Sequence, residues 1–266
     1  MSTIEEKRVF GERGGDTTVH LATETGVVRV SVAADRIGTF GLERRCVARD
    51  LAVIDGTLAV ATDEDVLFGD EPTGFGPALA VGGTDAPIAA DSEGRIARYD
   101  GDEWTDLGTA EDVRAIDGDL IATPNGVHRA GPTLQHVGLD GVNDVSTPGV
   151  PLAATAERLY RLGNGWMEEL EGAFELVATD RRSPPGELDR ACALAGDRLF
   201  VHEAAADRES GDGAWRPVDL PATPAAIAVA DSLFFATEDG RLFVDAGDGW
   251  RSQALGLGGV SAMVVG

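Results

Sequence analysis

The sequence predicts an all-β, single-domain β-propeller of seven four-stranded blades, closed by pairing of the C-terminal strand with the first blade. Three observations predict it. First, one unit recurs along the 266 residues: a short apolar run often ending Ala-Thr, an acidic or glycine turn, a second apolar run, then often a Gly-rich turn and Trp. Second, no helical period persists through any copy, and turn residues punctuate the chain about every 8–12 residues. Third, the two ends of the chain are complementary: the first copy lacks a leading strand, and the last apolar run lacks a copy after it. Copies starting about 29–41 residues apart fall in the range of radially repeated four-stranded units.

The elements follow in chain order, with the strands of a blade lettered a to d from the centre outward. Residues 1–17 are an N-terminal extension, within which EEKRVFGE (5–12) is expected to add a short extra strand; the propeller spans 18–266. TVHLATETGVVRVSV (18–32) opens blade 1 with no strand a before it. DLAVID (50–55) begins blade 2, whose copy TLAVATDEDVLFG (57–69) is weak; six blades would result if it were incomplete. ALAVGG (78–83) leads PIAADSEGRIARYDGDEWTDL (87–107), and DVRAID (112–117) leads DLIATPNGVHRAG (119–131). VNDVST (142–147) leads PLAATAERLYRLGNGWMEEL (151–170). ELVATD (175–180) leads RACALAGDRLFVHEAAADRESGDGAWRPVDL (190–220), and AAIAVA (225–230) leads SLFFATEDGRLFVDAGDGWRSQAL (232–255). The seven leading runs are mostly Ala, Val, Leu and Ile, small enough for the narrow centre of a radial array. VSAMVV (260–265) is then the missing strand a of blade 1, which removes a free sheet edge.

Composition excludes several function classes. The formal net charge is -24, from 46 acids against 22 bases, and Lys7 is the only lysine. Such a charge repels phosphate, so neither nucleic acid nor an anionic membrane surface is an expected partner. No apolar run approaches the roughly 18 residues of a membrane span, and the opening MSTIEEKRVFGERGGD carries no apolar signal region, so a cytoplasmic protein is expected. Acid excess with almost no lysine is the composition of a salt-in halophile, whose carboxylates repel at low salt and are screened at high salt. Cys46 and Cys192 lie far apart with no metal-ligand spacing and read as two buried, reduced thiols.

The N-terminal MSTIEEKRVFG, the stretch LATETGVVRV and the acidic, lysine-poor composition resemble a haloarchaeal β-propeller family, along the whole chain. The resemblance implies fold and cell context and carries no activity. Four tryptophans follow turns: GDEW at Trp104, GNGW at Trp166, DGAW at Trp215 and GDGW at Trp250. The pattern resembles the Asp-box hairpin of sialidase-like propellers, without that family's Ser and Thr positions. It implies a folding element at the c–d turn, with Trp filling the space between blades.

Two groups of candidate site residues emerge. The b–c turns are acidic, with Asp63, Asp65, Asp91, Glu93, Glu238 and Asp239 foremost and Glu24, Glu64 and Glu157 beside them. Because b–c and d–a loops share one face, these acids could ring one mouth of the channel, as a cation site or simply as a solvated face. Two insertions of one blade share the opposite face: DRRSPPGELDR (180–190), with Arg181, Arg182, Pro184, Pro185 and Arg190, and EAAADRESGDGA (203–214). Long loops on a rigid scaffold often carry recognition, which makes this basic island the candidate partner site. No His pair has ligand spacing, and no nucleophile or phosphate-binding motif is present. Whether a metal binds stays open, and no cofactor is expected. The expected function is therefore a non-enzymatic, monomeric platform for a protein partner. The alternatives are a sialidase-like or other propeller glycosidase, for which Tyr99 and Tyr160 in c strands are poorly placed, and cation or small-molecule binding on the acidic face.

Overall fold

In the structure, a computed structural model, residues 16–203 and 215–266 are described; the expected strand in 5–12 and most of the 203–214 insertion lie outside them. Twenty-eight strands and no helix make up the described residues. Blade 1 contains β1 (Asp16–Thr23), β2 (Gly26–Ala33) and β3 (Arg36–Arg44). Blade 2 is β4 (Ala48–Ile54), β5 (Thr57–Thr62), β6 (Val66–Phe68) and β7 (Glu71–Pro72). Blade 3 is β8 (Ala80–Gly82), β9 (Ile88–Ala90), β10 (Arg95–Tyr99) and β11 (Trp104–Thr109). Blade 4 is β12 (Ala115–Asp117), β13 (Leu120–Thr123), β14 (Gly126–Ala130) and β15 (Leu134–Gly138). Blade 5 is β16 (Val142–Ser146), β17 (Leu152–Thr155), β18 (Arg158–Leu162) and β19 (Trp166–Glu171). Blade 6 is β20 (Leu176–Thr179), β21 (Ala191–Ala195), β22 (Arg198–His202) and β23 (Trp215–Asp219). Blade 7 is β24 (Ala226–Val229), β25 (Leu233–Ala236), β26 (Arg241–Asp245) and β27 (Arg251–Ala254), and β28 (Ala262–Val265) follows.

Each blade is a four-stranded antiparallel sheet, and all seven expected blades are present. Blade 2 is complete, although its outer strand β7 has only two residues. Closure is as the sequence predicts: β28 pairs antiparallel with β1, Val19 opposite Val265 and Ala22 opposite Ala262. Two further backbone bonds seal the seam, from Ser261 N to Ala22 O at 3.1 Å and from Gly266 N to Thr18 O at 2.9 Å. The inner strands touch in sequence around the ring, with β28 against both β24 and β4.

The core lies between blades. Val28, Val30 and Val32 of β2 pack with Phe234, Leu242 and Val244 of blade 7, whereas Val27 packs with Leu51 and Val60 of blade 2. This is strand alternation at work, successive side chains serving opposite neighbours. The Ala-Thr endings of the b strands have a local cause. Thr62 Oγ1 accepts from Glu64 N and Asp65 N at 3.2 and 3.0 Å and donates to Asp65 O at 2.7 Å. Thr23 and Thr155 close their b–c turns in the same way. The hydroxyl satisfies turn amides that the sheet cannot.

The tryptophans bind blades together. Each indole N–H reaches back to the preceding blade: Trp104 to Thr73 O at 3.2 Å, Trp166 to Val137 O at 3.0 Å, Trp215 to Glu169 Oε2 at 3.2 Å and Trp250 to Asp219 O at 3.1 Å. The packing role expected for them is therefore observed. Of the two thiols, Cys192 is buried as expected, but Cys46 is only half-buried. It lies in the open d–a connection between blades 1 and 2 instead of inside a strand run.

Candidate functional site

The inner strands enclose a cavity of about 230 Å³ on the propeller axis, lined by residues of β4, β12, β16, β20, β24 and β28. Three carboxylates face it: Asp50, Asp117 and Asp144. None was singled out from the sequence, although an acid inside the apolar runs DLAVID, DVRAID and VNDVST is a visible signal. Asp50 and Asp144 occupy matching places, each at an irregularity of its inner strand. Asp50 accepts from Leu51 N at 2.8 Å and, across the blade boundary, from Val81 N at 2.9 Å. Asp144 accepts from Val145 N and from Val177 N of the next blade, both at 2.8 Å. Asp117 accepts from Thr147 N at 2.8 Å. The three carboxylates thus tie neighbouring inner strands together while one side of each looks into the cavity.

Protein surrounds these groups, so their charged forms are poorly solvated. Loss of solvation pushes Asp50 up to about 7 and Asp144 up to about 8, against the pull of their backbone donors. Asp117 is raised for the same reason, and the nearby Arg181 guanidinium holds it down in part. Mutual repulsion among the three adds to the rise in Asp50 and Asp144.

The expected basic island is present but its cations are engaged within the molecule. Loop 180–190 joins β20 to β21, so it lies at the a–b end of the channel. From it Arg181 reaches Val53 O of blade 2, across the axis from its own blade 6. Arg182 pairs with Asp180 and Asp231, both at 2.8 Å. Arg190 donates to Ala230 O and lies 3.7 Å from Glu203, the first residue of the second insertion. The described end of the second insertion thus lies beside the end of the first. Pro184 and Pro185 are exposed between these anchors. The arginines act as struts over one mouth of the channel.

The acidic turns do not converge. Asp65 accepts from Val66 N, Gly74 N and Gly76 N at 2.8, 2.9 and 3.1 Å, fixing its own blade. Asp91 takes the place of the turn threonine in blade 3 and accepts from Glu93 N and Arg95 N at 2.9 and 3.0 Å. Asp239 accepts from Thr237 Oγ1. Asp63, Glu93 and Glu238 are exposed. Among the described residues no three His, Cys, Asp or Glu side chains gather as a metal site would need. Tyr99 and Tyr160 are half-buried, and the Tyr99 hydroxyl is tied to Gly101 O at 2.8 Å.

A second feature stands out on the rim. β3 has nine residues, whereas the outer strands of the other blades have two to six. It carries Phe40 and Leu42, 41% and 43% exposed, and Val47 follows it at 37%. Among the described residues, three of the five exposed large apolar residues thus lie within residues 40–47. Residues 26–49 also hold five arginines (Arg29, Arg36, Arg44, Arg45 and Arg49) against two acids (Asp35 and Glu43), in a chain of net charge -24. Among the described residues, only Arg44 of these five has an ion-pair partner, Asp70 at 2.7 Å.

Residues 3–266 match a family model described as Beta-prop_HVO_0234:-like, beta propeller, which is named after a haloarchaeal protein. A functionally unknown protein from Desulfotomaculum acetoxidans DSM 771 is similar at a TM-score of 0.70 and 10% identity, covering 94% of this chain and 99% of that one. The WD40 β-propeller domain of Doa1 follows at 0.60 and 11%, covering 94% and 90%. Apo AztD from Citrobacter koseri gives 0.55 and 12%, covering 92% and 84%. At these identities the likenesses show the fold alone. None of the curated proteins matches the chain.

Proposed function

The chain belongs to the HVO_0234-like β-propeller family, and from that premise we propose that it is a non-enzymatic platform for protein binding. The observation that carries this reading is the rim of blade 1, where Phe40 and Leu42 stand exposed on the longest outer strand. Large apolar side chains grouped with arginine are the composition of recognition surfaces, and grouped exposed apolar residues mark sites of association. The proposed setting is the cytoplasm of a halophile, supported by the -24 charge and the single lysine, with the protein acting as a monomer.

The channel supports a second reading. Carboxylates facing a cavity of about 230 Å³ suit a small cationic ligand. The platform reading is preferred because Asp50 and Asp144 each already accept two backbone hydrogen bonds that hold the ring together.

Affinity capture from a haloarchaeal lysate at molar KCl tests the platform. A stoichiometric protein is expected on the native chain and also on a version lacking 181–188, whose arginines bond within the molecule. Absence of any partner on both would contradict the platform. Loss of the partner only with the deletion would move the site to the loop.

A further inference from the structure

We infer that β3 is a docking edge for an extended protein segment in which acidic and apolar residues alternate, held by strand addition to blade 1. The inference rests on the platform reading and adds the place, the mode and the chemistry of the partner.

The geometry begins with strand pairing. Phe40 lies opposite Val30 and Leu42 opposite Val28. Directly opposed residues share a face of the sheet, and Val28 and Val30 belong to the cluster shared with blade 7. Phe40 and Leu42 therefore stand on the blade 7 side. Arg29 lies opposite Gly41 and Arg36 opposite Ala33, one residue out of phase. They stand on the blade 2 side, where Arg44 reaches Asp70 of that blade. The two faces of this edge differ: one is apolar, and the other carries Arg29, Arg36 and Arg44 with one acid, Glu43, which is paired with His20 at 3.2 Å.

The edge is long, and two register shifts against β2 set Arg36 and Arg44 on the face opposite Phe40 and Leu42. Blade 7 sets only the four-residue β27 against the nine-residue β3. Outer strands present unpaired N–H and C=O groups, and proteins usually keep such edges short, charged, bulged or covered. β7, with two residues, shows the short solution in this same ring. A segment pairing with β3 would complete the backbone ladder. Its alternate side chains would meet Phe40 and Leu42 on one face and Arg29, Arg36 and Arg44 on the other. Strand addition takes affinity from main-chain bonds and specificity from alternate side chains, so the matching segment is apolar on one face and acidic on the other. In molar salt the screening length is about 3 Å. The charges then act through contact pairs, which makes alternation and not net charge the recognised property.

The test uses a fluorescein-labelled synthetic peptide alternating valine with glutamate, matched to the nine residues of β3. Anisotropy is read against the full-length protein at low and molar KCl, together with amide hydrogen exchange along β3. Binding with protection of β3 amides is expected. So is a loss of affinity of about tenfold, 1.4 kcal/mol, in the double variant Phe40→Ser, Leu42→Ser, a surface change that leaves the fold intact by circular dichroism. A peptide with lysine in place of glutamate is expected not to bind. No binding, equal binding by the double variant, or equal binding of the lysine peptide would overturn the inference. Binding that appears only after residues 2–15 are removed would also overturn it, by assigning the edge to the chain itself. A captured partner that binds the double variant as well as the native chain would refute edge docking while leaving the platform standing.

Discussion

At the scale of single residues, the inner strands use carboxylates where hydrophobic side chains would be simpler. Asp144 accepts amides from its own blade and the next, and it titrates near 8 because it is poorly solvated. Its native value lies above that of the unfolded chain, so the folded state holds the proton more tightly. The stability this contributes is complete below the unfolded value near 4 and is lost as pH rises through about 8. Asp50 acts in the same sense, with its loss ending near 7. Stability in high salt, where surface carboxylates are screened, is therefore expected to fall between pH 4 and 8. Asp144→Asn is expected to flatten that slope, measured by denaturant unfolding across the pH range. The same variant turns an amide N–H₂ toward one of two backbone donors, at a cost of about 1–3 kcal/mol at acid pH. An unchanged slope would contradict the assignment. The acids were visible inside apolar runs of the sequence. Their meeting around one axis was not, because it depends on ring closure between residues far apart in the chain.

At the scale of elements, β28 and the tryptophans carry distinct loads. Removing 259–266 deletes the inner strand of blade 1 and leaves β1 with an open edge. Loss of the cooperative melting transition is expected, and an unchanged melting curve would refute the closure. Trp166→Ala removes packing between blades 4 and 5 together with the bond to Val137 O. A loss of about 3 kcal/mol is expected, the lower end for a large aromatic that is partly exposed. The repeat made both elements legible, since a missing leading strand and a recurring Trp are sequence facts. The Arg181, Arg182 and Arg190 island was legible as a cluster but not as struts. Their acceptors, Val53, Asp231 and Ala230, lie in other blades. The rim of blade 1 was missed altogether. Its signal is present in Arg36–Arg44, a strand whose apolar residues have no neighbouring outer strand of matching length.

At the scale of the whole molecule, a chain with 46 acids against 22 bases forms a ring held by contacts between blades. Their repulsion opposes closure at low ionic strength and is screened in molar salt. The melting temperature is expected to rise steeply with KCl, and a salt-independent melt would argue against a halophilic setting. Rigidity suits the platform role, since a closed ring presents its rim at fixed spacing. The central claim is that the rim of blade 1, and no other, receives the partner. The most direct measurement places a photo-crosslinking residue at Thr39 on β3 and, in a second protein, at Gln135 on the outer strand of blade 4; both positions are exposed. One protein crosslinked from position 39 and absent from position 135 is the predicted result. The same products from both positions, or none from position 39, would contradict it.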